Sequence, residues 1–118
     1  MEGLNLVTQN DPKNPAAEAY RVIRTSIQFA QAGKELKTIA ITSCTPNEGK
    51  SMTIANLAIV LTQAGKSVLL IDCDMRNPTV HKNFNLSNKV GLSSCISMGT
   101  AVADAVQETG IEGLDALT

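Results

Sequence analysis

The stretch Thr38-Ile39-Ala40-Ile41-Thr42-Ser43-Cys44-Thr45-Pro46-Asn47-Glu48-Gly49-Lys50-Ser51 decides the fold. Residues 38–42 are short, apolar and β-branched, which predicts a buried strand. A turn-rich segment follows, and then residues 50–64 predict a helix with Ile54, Leu57, Ala58 and Leu61 as its apolar stripe. Gly65 stops that helix. A second buried strand is expected at Val68-Leu69-Leu70-Ile71, ending at Asp72. Strand, helix and strand in this order predict a βαβ unit with a right-handed crossover.

The segment between the first strand and the helix has the makings of a phosphate-binding loop. A helix N-terminus offers free N–H groups to phosphate oxygens. Gly49 lets the backbone approach without a Cβ clash. Lys50 brings a charge to the β- and γ-phosphates, and the Ser51 hydroxyl suits Mg²⁺. Residues Thr45, Pro46, Asn47, Glu48, Gly49, Lys50, Ser51 and Met52 are the expected nucleotide contacts, and the expected ligand is Mg·ATP. Cys44 stands where the usual loop begins with glycine. The competing reading is a chance Gly-Lys-Ser, and the flanking strand and helix argue against it.

Asp72 and Asp74 follow the second strand at the sheet edge where open α/β folds gather ligand chemistry. Asp72 can orient a metal-bound water or accept a proton from an attacking hydroxyl, and Asp74 can assist the metal. Arg76 can pair with Asp74 or with phosphate. The plainer alternative is a solvated strand end with a local ion pair. Lys50, Asp72 and Asp74 are the candidate catalytic residues; Ser51, Asp72 and Asp74 are the candidate metal ligands.

Toward the N-terminus, residues 1–14 read as an irregular, flexible arm. Asn14 is placed to cap a helix that starts at Pro15 and runs to about residue 31, with Tyr20, Ile23, Ile27 and Ala30 on one face. Toward the C-terminus, short helices are expected at 78–84, 91–98 and 101–108, and residues 114–118 begin a third strand. The fold class expected is α/β: a parallel sheet of the P-loop NTPase type with flanking helices. Such domains usually exceed ~150 residues, so residues 15–118 are expected to be part of one.

The 118 residues are 43% hydrophobic and 18% charged, with a net charge of −1. That balance argues against a general nucleic-acid binder. No apolar run approaches the ~20 residues of a membrane span, and no signal peptide is evident, so a cytoplasmic location is expected. The three cysteines lack metal-ligand spacing and are expected to be reduced and buried. His81, the only histidine, is expected on the surface of a helix.

Three motifs together resemble one family, the bacterial tyrosine kinases of capsule and exopolysaccharide synthesis. Glu18, Arg21 and Arg24 are similar to its E-x-x-R-x-x-R. Residues 43–51 resemble its variant Walker A, which also lacks the first glycine. Leu69 through Pro78, with Asp72, Asp74 and Arg76, resemble its Walker A′. The resemblance implies a P-loop domain related to the MinD/ParA ATPases and ATP-dependent phosphorylation of protein tyrosine. It also implies a ring of subunits contacting through Glu18, Arg21 and Arg24. In the split form, to which this chain is similar, a membrane-anchored activator of the polysaccharide co-polymerase type brings the kinase to the inner membrane face. The Walker B aspartate and the tyrosine-rich tail of that family have no counterpart here. Two alternatives follow: a MinD/ParA-like switch ATPase is disfavoured by Thr45, where that group carries lysine, and by Glu18, Arg21 and Arg24, and an inactive nucleotide-binding fragment remains open.

Overall fold

A computed structural model describes residues 6–31, 33–42 and 50–118. The expected phosphate-loop contacts at 45–49, with Cys44, lie outside the described residues.

The first described element is a single helical turn, α1 (Val7–Asn10). It departs from the irregular arm expected there, because Val7 and Thr8 are buried. Thr8 donates from its N–H and its hydroxyl to Asn56 Oδ1, at 3.2 and 2.7 Å. Gln63 Nε2 donates to the Thr8 carbonyl at 3.1 Å. These long-range bonds tie the turn to the central helix, which local sequence cannot reveal.

Helix α2 (Pro15–Ala30) begins as expected: the Asn14 side chain accepts from the Ala16 N–H at 2.9 Å, and Pro15 occupies the first turn. Its packed face keeps Tyr20 and Ile27 of the expected one and loses Ile23 and Ala30. Ala17 is buried, and Tyr20, Arg21, Arg24 and Ile27 are half-buried, while Ile23 and Ala30 are exposed. Arg24 is drawn inward by a helix end. Its guanidinium donates to the Val60 carbonyl at 2.6 Å, and Val60 lies in the last turn of α3 (Lys50–Gln63). Carbonyls there lack intrahelical donors, and a cation near a helix C-terminus is favourable.

Helix α3 is buried from Ala55 to Val60 without a break. This corrects the one-sided stripe expected from Ile54, Leu57, Ala58 and Leu61. A helix buried on several sides is a core helix, and its one buried amide, Asn56, is bonded to Thr8; here α1 and α2 pack on it, as do the strands β1 (Val68–Ile71) and β3 (Leu114–Leu117).

The strand expected at 38–42 is not formed. No described backbone hydrogen bond engages it, and Ile39 is exposed. A strand is defined by its pairing, and apolar β-branched composition alone does not supply a partner. Among the described residues, the expected βαβ unit of 38–71 and its crossover are therefore not formed. Parallel pairing instead joins β1 to β3, with Val68 opposite Leu114 and Leu70 opposite Ala116.

Short helices α4 (Val80–Asn83), α5 (Leu92–Met98) and α6 (Val102–Ala105) lie between β1 and β3. Residues expected to extend the last of these form β2 (Gln107–Glu108), which pairs antiparallel with β3. Among the described residues the sheet has three strands in the order β1-β3-β2. Its core face carries Leu70, Leu114 and Ala116 against Ala55, Ala58 and Ile59, and Val80 and Phe84 belong to the same core cluster.

β1 is covered on one face. Leu69 and Ile71 are 42% and 41% exposed, which corrects the expectation of a fully buried strand. The alternation of side chains sends these two away from α3. Among the cysteines, Cys73 is exposed and Cys95 half-buried, so the expected burial fails for the first. His81 is half-buried in α4, not on its surface as expected. Among the described residues, no helix is long and apolar enough to cross a membrane.

Candidate functional site

The first residues of α3 and the loop after β1 meet at one end of the sheet. Lys50 opens α3, and its Nζ lies 3.9 Å from Asp74 Oδ2. Both side chains remain partly exposed, at 37% and 42%. A pair so exposed contributes at most about 1 kcal/mol to stability. Its charges stay available to a ligand.

Asp72 is placed differently. It is 9% exposed, and its carboxylate organises the loop that follows it. Oδ1 accepts from the Asp74 N–H at 3.0 Å. Oδ2 accepts from the N–H groups of Thr79 and Val80, at 3.0 and 3.1 Å. A carboxylate has about four lone-pair sites. Three are committed to backbone, which leaves one on Oδ1 for a ligand. Asp74 repeats the pattern on a smaller scale, accepting from the Asn77 N–H at 3.1 Å through Oδ1. The plainer reading of this strand end is thus partly realised: both acids hold the loop, and Asp74 also pairs with Lys50.

Ser51 Oγ lies 2.9 Å from Thr79 Oγ1. Thr79 therefore touches two candidate residues, Ser51 through its hydroxyl and Asp72 through its N–H. Sequence reading passed over it as the start of a short helix. No local signal marks it, because Ser51 and Thr79 are 28 positions apart.

Lys50, Ser51, Asp72 and Asp74 are thus brought to one place. Met52, in the first turn of α3, is exposed beside them in sequence, and Arg76 is exposed on the loop after Asp74. The oxygen donors are a hydroxyl and carboxylates, the hard ligands that Mg²⁺ takes. Among the described residues no group of three or more His, Cys, Asp or Glu could hold a metal ion. Mg²⁺ that arrives with a nucleotide needs one or two protein oxygens, since phosphates and waters complete its shell.

Glu18, Arg21 and Arg24 stand apart from this site on α2. Arg21 Nε donates to Glu18 Oε2 at 2.9 Å, and its guanidinium also reaches the Pro12 carbonyl at 2.7 Å. Beside them, Val22 and Phe29 are exposed at 56% and 83%.

Comparison with known proteins agrees with this layout. The CobQ/CobB/MinD/ParA nucleotide binding domain model matches residues 39–114. Tyrosine-protein kinase YwqD of Bacillus subtilis is 48% identical over 114 residues, which is 97% of this chain and 48% of that protein. The crystal structure of the chimerical protein CapA2B2 superposes with a TM-score of 0.89 at 44% identity, covering 96% of this chain and 50% of that one. The kinase domain of the Escherichia coli tyrosine kinase ETK gives a TM-score of 0.91 at 33% identity, covering 100% of this chain and 46% of that one. The chain spans about half the length of each of these proteins. With an α3 N-terminus that gathers Lys50 and Ser51 beside two carboxylates, and a family match over most of its length, the chain belongs to the CobQ/CobB/MinD/ParA nucleotide binding domain family.

Proposed function

We propose that this chain is the nucleotide-binding part of a protein-tyrosine kinase that serves capsule or exopolysaccharide synthesis, and that it binds Mg·ATP. The carrying observation is the convergence of Lys50 and Ser51 on α3 with Asp72 and Asp74 after β1. The likeness to proteins named tyrosine-protein kinases supports the same reading.

In this reading Lys50 leaves Asp74 to neutralise the β- and γ-phosphates, and the α3 N-terminus adds its N–H groups. Residues 45–49, Met52 and Arg76 complete the nucleotide contacts. Bound Mg²⁺ spreads the charge that builds on the transferring phosphoryl group. Ser51 supplies it one hydroxyl oxygen. Asp72 has one lone pair to offer it, directly or through water. Asp74, released by Lys50, is the freer carboxylate and can take the proton of a tyrosine hydroxyl. The γ-phosphoryl passes to the tyrosine oxygen, ADP leaves, and the proton goes to the base.

Incubation with γ-labelled ATP tests this, on the 118-residue chain and on a form extended to the length of its relatives. Phosphotyrosine is expected in the extended form. ATP hydrolysis there without phosphotyrosine overturns the kinase reading and favours a switch ATPase, the second reading, which the MinD/ParA membership supports.

Glu18, Arg21 and Arg24 are proposed to contact a neighbouring subunit in a ring formed by the extended protein. Arg24 takes part only by exchanging its bond to the Val60 carbonyl. Light scattering of the extended protein is expected to show a fall from oligomer to monomer mass when Arg21 and Arg24 are both changed to Ala. An unchanged mass removes the ring from the proposal. A membrane-anchored activator and a place at the inner membrane face complete the picture.

A further inference from the structure

Thr79 sits at the N-cap of α4, where a threonine hydroxyl usually accepts a backbone N–H from the first turn. Here it makes no such bond. The capping is done by Asp72, whose Oδ2 accepts from the N–H groups of Thr79 and Val80. The Thr79 hydroxyl is thereby freed from its ordinary local task. It faces the Ser51 hydroxyl at 2.9 Å instead.

A hydroxyl that ligates a cation presents a lone pair to it, so its hydrogen must point elsewhere. Either hydroxyl of the Ser51–Thr79 pair can be the donor, and Thr79 Oγ1 lies where it can accept the Ser51 hydrogen once the Ser51 lone pair is engaged. We propose that Thr79 is a positioning residue that accepts the Ser51 proton and so aims the Ser51 lone pair at nucleotide-bound Mg²⁺. This rests on the reading of Ser51 as a Mg²⁺ ligand. The arrangement also joins the two halves of the site. The Thr79 N–H is held by Asp72 while its hydroxyl holds Ser51, so the loop after β1 sets the orientation of a side chain on α3.

Calorimetric titration of the 118-residue chain with ATP, with and without Mg²⁺, separates this from a structural role. The unaltered chain is expected to bind ATP more tightly when Mg²⁺ is present. Thr79→Val keeps the N–H to Asp72 and the branched shape, and loses only the hydroxyl. It is expected to reduce the Mg²⁺-dependent gain by about 10-fold to 100-fold, the range for removing an outer partner of a metal ligand. Affinity for Mg²⁺-free ATP stays unchanged. Thr79→Ser restores the gain. If Thr79→Val does not fold, Thr79→Ala is read in the same way. A full Mg²⁺-dependent gain in the valine variant overturns the proposal, as does an equal loss with and without Mg²⁺. If the unaltered chain itself binds ATP equally with and without Mg²⁺, the assignment of Ser51 fails first and Thr79 with it.

Discussion

Lys50→Met is expected to abolish Mg·ATP binding. The loss follows from charge. Lys50 is the first residue of α3 and lies beside the segment expected to hold the phosphates. A charge-assisted hydrogen bond contributes about 1.5–3 kcal/mol, and an ammonium reaching two phosphates makes more than one. Affinity should fall by at least ~100-fold, below detection for a micromolar binder. The fold should not change. The ion pair of Lys50 with Asp74 is long and exposed, so its removal contributes at most about 1 kcal/mol. Thermal unfolding should move by only a few degrees. Titration calorimetry reads the first effect and a melting curve the second. Unchanged affinity sinks the phosphate-site assignment. Lost affinity with a collapsed melting curve reports unfolding, and the Mg²⁺-free ATP titration of Lys50→Arg, which keeps the charge, then decides it by retaining or losing binding.

Asp72→Ala has the opposite signature: its main effect is on stability. The carboxylate accepts from three N–H groups, and the Val80 bond is buried. Removing it strands these donors. A buried unsatisfied group costs about 1–3 kcal/mol, and the two less buried ones recover part of their loss from water. The sum is roughly 3 kcal/mol, a fall in Tm of roughly 10 °C for a domain of this size. Asp72→Asn keeps one acceptor oxygen and should lie between. A melting curve for Asp72→Ala within about 2 °C of the unaltered chain shows that the loop does not depend on these bonds. Loss of the proposed kinase activity in an Asp72 variant is therefore read only together with its melting curve, because the residue holds the loop that carries Asp74 and Thr79.

Much of the architecture was readable in the chain. Asn14 and Pro15 marked the start of α2, and Gly65 the end of α3. The apolar run at 68–71 became β1, and residues 114–117 became its parallel neighbour. Each of these rests on a local rule of capping or patterning that acts within a few residues. The elements that departed from expectation depend on distant partners. The segment at 38–42 has the composition of a strand and no described strand pairs with it. Gln107 and Glu108 look helical in composition and are an edge strand because β3 offers them a ladder. Ile54 to Leu61 looked amphipathic, yet Ala55 to Val60 are buried because helices and sheet approach α3 from different sides.

The candidate site divides along the same line. Residue chemistry and spacing along the chain were enough to single out Lys50, Ser51, Asp72 and Asp74. Sequence alone determined that an α/β chain would carry a cation, a hydroxyl and two acids near the ends of its elements, because motif and periodicity are local properties. Only the tertiary structure decided how their atoms are used. It assigned most of the Asp72 carboxylate to backbone, turned Arg24 onto the Val60 carbonyl, and set the Thr79 hydroxyl against Ser51. Hydrogen bonds between residues 28 or 36 positions apart are set by packing, and no short stretch of sequence contains both partners.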